Sequence, residues 1–182
     1  MMGVMGELHR DHVHFARLLT ILDDEVEMIH EEGPPDYQLA LDIMHYMTQY
    51  PDLFHHPRED VVFERMLLRD PSLSTVLGAL VQDHKKLAVI GLRFHDALAG
   101  VLEGAIMSRE EINREGCEYL TAMRQHMDVE EGEVFPLAEK LLGDRDWAAV
   151  DEAMGRREDP LFGSVVELRF ADLFEYLKRS GD

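Results

Sequence analysis

Apolar residues recur along the chain at steps of three and four, the period of an amphipathic helix. Leu8, His12, Phe15, Leu19, Leu22, Val26 and Ile29 form a first seam stepping by 4, 3, 4, 3, 4 and 3, and it stops at Gly33-Pro34-Pro35, which cannot continue a helix. Asp36 stands where it can cap a second helix, with Met44, Thr48, His55, Glu59, Val62 and Met66 near one face. Pro51 and Pro57 interrupt that segment and predict a kink or local break. After Asp70-Pro71-Ser72 a third seam runs through Leu77, Leu80, His84, Leu87, Gly91, Phe94, Leu98 and Val101, ending around Gly100 and Gly104. Ser108 and Glu111 make a capping box ahead of a fourth seam of Ile112, Gly116, Tyr119, Met123, His126, Glu130, Val134, Leu137 and Leu141, closed by Gly143. No stretch alternates with the period of a strand. Helices of about 20–30 residues are about 30–45 Å long, and short connections force neighbours to run antiparallel. The fold expected is therefore all-α, an up-down-up-down four-helix bundle over residues 1–143.

Residues 144–182 are expected to add a C-terminal helical extension. A short helix is predicted from Trp147 to Arg156, then a turn at Asp159-Pro160, then a last helix opened by Ser164 and Glu167 as another capping box, with Val166, Phe170, Leu173 and Leu177 on one stripe. Five aromatic residues, Trp147, Phe162, Phe170, Phe174 and Tyr176, predict that this tail packs on something. The choices are the bundle itself or a partner, such as a homodimer formed through the last helix.

Composition narrows the function. The 182 residues, 46% hydrophobic and 30% charged, suffice for one sizeable core and are too few for two ordinary domains. A formal charge of −19 gives no footprint for nucleic acid or for an anionic membrane face, and the apolar runs are too short to span a bilayer. The opening MMGVMGELHRDH reaches charged residues too soon for a signal-peptide core. Cys117 is the sole cysteine, which excludes an internal disulfide and a cysteine-rich zinc site. These features predict a cytoplasmic protein. Ten histidines are the unusual feature.

Those histidines expose a repeat. Asp11-His12 is followed by His55 and, four residues on, Glu59; Asp83-His84 is followed by His126 and, four on, Glu130. His12 and His84 are 72 residues apart, and His55 to His126 and Glu59 to Glu130 are 71 each. A histidine and a glutamate four apart share one helix face, here the apolar one. Four imidazoles and two carboxylates should therefore meet inside the bundle. Burying two uncompensated carboxylates costs several kcal/mol each, by order of magnitude, so the pattern predicts a pair of cations between them. With two imidazoles per metal and both glutamates bridging, each metal has four protein donors. Imidazole with carboxylate suits Fe, Mn or Zn, and the lack of thiolates argues against a closed structural zinc site.

The constellation resembles the hemerythrin-like (HHE cation-binding) domain family. The resemblance rests on His12, His55-x-x-x-Glu59, His84 and His126-x-x-x-Glu130 in this order, and on the strings HHPREDVVF and HMDVEEGEVFP, over about Leu8 to Leu142. It implies a four-helix bundle with a carboxylate-bridged non-haem di-iron centre held by His12, His55, Glu59, His84, His126 and Glu130, zinc or manganese being substitutes for iron. Oxygen-carrying members have a histidine where this chain has Ala88, and an aspartate five residues after the last histidine where this chain has Glu130 at four and Glu131 at five. The chain thus looks like the branch with four histidines and two glutamates. The expected ligand is a small diatomic or a peroxide: O2, NO or peroxide is bound or reacts. Alternatives are an iron or redox sensor acting through a protein partner, and a peroxide- or NO-consuming enzyme.

Other polar residues have plainer expectations. His56 should point about 100° away from His55, exposed or behind the ligands. Glu131 is a reserve ligand, Tyr119 a core residue, and Asp11 and Asp83 are placed to orient ligand histidines. His9, His14, His30, His45 and His95 read as solvated or core, with His95 the best spare imidazole.

Overall fold

The computed structural model describes residues 3–31, 33–155 and 158–180; all regular structure among them is helical, with no strand. Helix α1 spans Val4–His30. Asp36 caps α2 (Tyr37–Met47), its carboxylate accepting from the Leu39 amide at 2.9 Å. A widened π turn, Pro51–His55, leads into α3 (His56–Arg69). Helix α4 covers Ser74–Leu102, and the expected capping box of Ser108 and Glu111 opens α5 (Arg109–Val129). A second π turn, Glu130–Val134, joins α5 to α6 (Phe135–Leu141). Helices α7 (Asp144–Met154) and α8 (Ala171–Arg179) follow.

Both widened turns have the same cause. A proline inside a helix brings no N–H and crowds the carbonyl four residues earlier. Pro57 and Pro136 each stand two residues beyond a π turn, and the carbonyls they would crowd, Leu53 and Gly132, lie within those turns. The break near Pro57 matches the sequence; the one before Pro136 interrupts a seam that reads as continuous.

The last helix differs from expectation. It starts at Ala171, after a 3-10 turn at Leu168–Phe170, and Ser164 and Glu167 do not cap it. Asp159 organises the preceding loop by accepting the Leu161 and Phe162 amides at 2.8 and 2.9 Å, and the Ser164 hydroxyl donates to Glu158 at 2.6 Å instead of capping a helix. Arg156, the expected end of the short helix, lies outside the described residues.

Helix α1 packs on α5 and α2, α4 on α5 and α2, and α3 on α4, α6 and α7. Buried apolar side chains fall into two clusters. One includes Phe15, Tyr50, Leu87 and Met123; the other includes Leu8, Val62, Leu80 and Val134. Leu161, Phe170, Leu173 and Leu177 of the tail belong to the first, and Arg17 on α1 donates to the Leu177 carbonyl at 2.7 Å. Arg69 grips Asp146 of α7 through both carboxylate oxygens. Close approach of α5 to its neighbours depends on Gly116, where a Cβ would sit 2.6 Å from Val26 Cγ2 and 2.9 Å from Phe94 Cζ. No described helix is long and apolar enough to cross a membrane.

Candidate metal centre

A polar layer separates the two apolar clusters. On α1 it is His12, between Leu8 and Phe15; on α4 it is His84, between Leu80 and Leu87. The π turn and the start of α3 supply His55, His56 and Glu59, and the junction of α5 with the second π turn supplies His126 and Glu130. All seven residues are buried, and Glu59 and Glu130 are 0% exposed.

The structure brings all six expected residues together and adds His56. Its ligand atom lies with those of Glu59, His84 and His126 within 4.8 Å of one another; His12, His55 and Glu59 make a second such group. Of the two places expected for His56, exposed or behind the ligands, the first is excluded: it is buried at 4% exposure. The wide turn rotates the helix start so that consecutive imidazoles both face inward. His56 stacks on the His84 ring at 4.4 Å. The doubled histidine and an aspartate four residues before His56 were the sequence signals for it.

Most of the rings are oriented from outside by a carboxylate on Nδ1. Asp11 partners His55 at 3.2 Å, Asp52 partners His56 at 3.2 Å, Asp60 partners His84 at 2.9 Å and Glu131 partners His12 at 2.8 Å. Holding the proton on Nδ1 leaves Nε2 with its lone pair free, the arrangement in which imidazoles ligate metals. Asp11 has its expected role. The carboxylate on His84 is Asp60 rather than Asp83, and Glu131 sits behind His12, where it also meets His9 at 3.0 Å. His95 is elsewhere, beside His45 with ring centroids 5.7 Å apart. Tyr119 is buried against Gly91.

The inner geometry is strained for a purely hydrogen-bonded cluster. Imidazole Nε2 atoms lie 3.0–3.6 Å from Glu59 and Glu130, yet all four carboxylate oxygens lack a hydrogen bond, as do Nε2 of His56, His84 and His126. Buried polar atoms in native proteins are nearly always satisfied. His12 and His55 bring their Nε2 atoms to 2.9 Å of each other. Two nitrogen donors at about 2.1 Å from one metal, at right angles, are about 3 Å apart. The donor set therefore fits cations better than it fits itself.

Electrostatics point the same way. Burial disfavours the charged form of His12, but the hydrogen bond it donates to Glu131 and the charges of Glu59 and Glu130 outweigh it and raise its pKa to about 10. His84 is raised to about 11 against burial by Asp60, Glu130 and Glu59. Burial, with His84 and His56 nearby, lowers His126 to about 3, and burial and His84 hold His56 well below the usual imidazole range. Burial opposes the Glu59 carboxylate, but His55, His12 and His84 hold it well below the ordinary value; burial and the Glu59 charge push Glu130 up. Positive charge is thus demanded at the centre of the layer.

The walls are aromatic. His12 stacks on Phe135 at 5.2 Å, Phe15 meets the His55 ring edge-on at 4.9 Å, and Phe63 stacks on His84 at 6.0 Å.

The family model of the hemerythrin HHE cation-binding domain matches residues 4–138, a span that takes in the whole cluster. No curated protein matches the chain.

Proposed function

The chain belongs to the hemerythrin HHE cation-binding domain family, and from that membership we propose that it is a non-haem di-iron protein that binds or reacts with a small oxidant, O2, NO or peroxide. We read residues 1–143 as an up-down-up-down four-helix bundle, because the chain passes between the two apolar clusters in alternating sense along α1, α2–α3, α4 and α5–α6. We read residues 144–182 as the extension; among its described residues Leu161, Phe170, Leu173 and Leu177 pack on that bundle. The free, exposed Cys117 suits the reducing conditions of a cytoplasm.

One observation carries the reading: both oxygens of both Glu59 and Glu130 are buried without a hydrogen bond, in a ring of imidazole nitrogens. His12 and His55 would hold one iron and His84 and His126 the other, with His56 completing that second set. Glu59 belongs to both donor groups, and Glu130 lies near His12, His84 and His126 at 3.5, 3.6 and 3.2 Å, so the two carboxylates would bridge. Zinc or manganese suits the same donors. When bound, the irons supply redox chemistry and vacant positions for the oxidant. The protein holds the protons of the ligand histidines on Nδ1 through Asp11, Asp52, Asp60 and Glu131, and its aromatic walls keep bulk water from the layer.

Purification with and without O2 and iron analysis should give about two irons per chain, with a visible absorption that changes on exposure to O2. A Glu59→Gln/Glu130→Gln double variant should lose the iron and the absorption. A folded protein that takes up no iron after anaerobic reconstitution, or a double variant that keeps its full complement, overturns the reading.

A further inference from the structure

On the outer side of α1 a cavity of about 420 Å3 opens between the bundle and the tail. Asp11 and His14 face it from one side of α1, three residues apart, and Asp159 faces it from the tail. These three each bring a ligand atom within 4.8 Å of the others. We propose that Asp11, His14 and Asp159 form a second metal site, for a single divalent first-row transition-metal ion, distinct from the buried His/Glu layer.

Each side chain is fixed in advance, and Asp11 and His14 each have a ligand atom to spare. Asp11 is 5% exposed; its Oδ2 serves His55 and Tyr50, and its Oδ1 is buried without any hydrogen bond. The His14 ring is stacked on Phe162 at 4.0 Å. Its Nδ1 is also buried and unsatisfied, since Asp159 Oδ2 is 3.6 Å away, beyond hydrogen-bond reach. Asp159 is held by the Leu161 and Phe162 amides on Oδ1 and by the Tyr46 hydroxyl, at 2.8 Å, on Oδ2. Rigid first contacts of this kind reduce the ordering that binding requires.

Charge and donor type choose the ligand. Arg58 is engaged by Glu7 and Asp151 at 2.7 and 3.1 Å. That leaves the exposed Arg10 against Asp11, Asp159 and Glu158 around the cavity, so a cation is favoured over an anion. One imidazole with two carboxylates suits Mn, Fe or Zn better than magnesium or calcium, which prefer all-oxygen shells, and the cavity has room for water to complete the coordination. An ion here would tie the tail to α1, and through Asp11 it would abut the Nδ1 side of His55.

Mn2+ is the probe, read by electron paramagnetic resonance and metal analysis on iron-loaded protein. The wild type should take up one Mn2+ per chain with its iron content unchanged. His14→Ala and the bulkier His14→Gln should each weaken that uptake at least tenfold, as should Asp159→Asn, which keeps the amide hydrogen bonds; circular dichroism checks the fold of each. In the Glu59→Gln/Glu130→Gln variant the Mn2+ site should persist, so failure of the di-iron reading and failure of this site are separately visible. No Mn2+ uptake at millimolar concentration, uptake that displaces iron one for one, or equal affinity in wild type and the His14 variants overturns the proposal.

Discussion

At the scale of single residues, the centre is set as much by the groups behind the imidazoles as by the imidazoles. Asp60 is the clearest case: it contacts His84 Nδ1 at 2.9 Å from a partly exposed position on α3, so its removal should disturb the ligand more than the fold. Loss of such an outer carboxylate typically costs 10- to 100-fold in metal affinity. Asp60→Ala should therefore weaken iron binding by about that factor, measured by competition with a chelator, with little change in helicity. An affinity within twofold of wild type would mean that His84 is oriented by packing alone. The sequence pointed to His12, His55, Glu59, His84, His126 and Glu130 because their spacing is visible within single helices. It pointed to Asp83 instead of Asp60 because that choice depends on the register between α3 and α4, which no spacing along one helix encodes. Asp52 and His56 were accessible in principle, four apart on one segment, but an ideal helix turned His56 away.

At the scale of elements, two features of the helices decide what reaches the interior. The π turns at Pro51–His55 and Glu130–Val134 each end two residues before a proline, Pro57 and Pro136, but fall at different places in the repeat: the first ends on His55, the second begins on Glu130. The first was legible from Pro51 and Pro57. The second was not, because Glu130, Val134, Leu137 and Leu141 continue the seam in spite of it. Gly116 is the other feature: it appeared in the sequence as an apolar-seam position, but that Val26 and Phe94 press on it follows only from packing. Gly116→Ala gains up to about 1 kcal/mol of helix propensity and incurs about 1–3 kcal/mol of overpacking. The contacts of 2.6 and 2.9 Å, to side chains that are themselves buried, place the overpacking toward the upper end. The net expectation is a loss of about 1–2 kcal/mol, or a melting temperature lower by about 2–8 °C for a chain of this size. A variant that melts with or above wild type would show that α5 can move away freely.

At the scale of the whole molecule, the apolar interior is divided in two by a layer that cannot stabilise itself. Leu8, Val62, Leu80 and Val134 lie on one side, and Phe15, Tyr50, Leu87 and Met123 on the other; between them stand two fully buried carboxylates whose oxygens have no hydrogen bond. A cation bound to the folded state but not to the unfolded chain adds its binding free energy to stability. Removing it leaves like charges and unsatisfied donors where water cannot easily reach, at a cost of several kcal/mol by order of magnitude. Chelation of iron should therefore lower the melting temperature by about 10 °C, taking about 2–4 °C for each kcal/mol in a chain of this length. Hydrogen exchange should rise most in α3, α5 and the two π turns, which carry His55, His56, Glu59, His126 and Glu130, and least in α8, whose Leu173 and Leu177 pack in the first cluster away from the layer. A uniform rise along the chain would instead mean that the metal stabilises only global folding, and equal melting with and without iron would mean that the layer is satisfied by its own protons. The layer thus makes the two halves of the core interdependent: whatever fills it determines whether they behave as one cooperative unit.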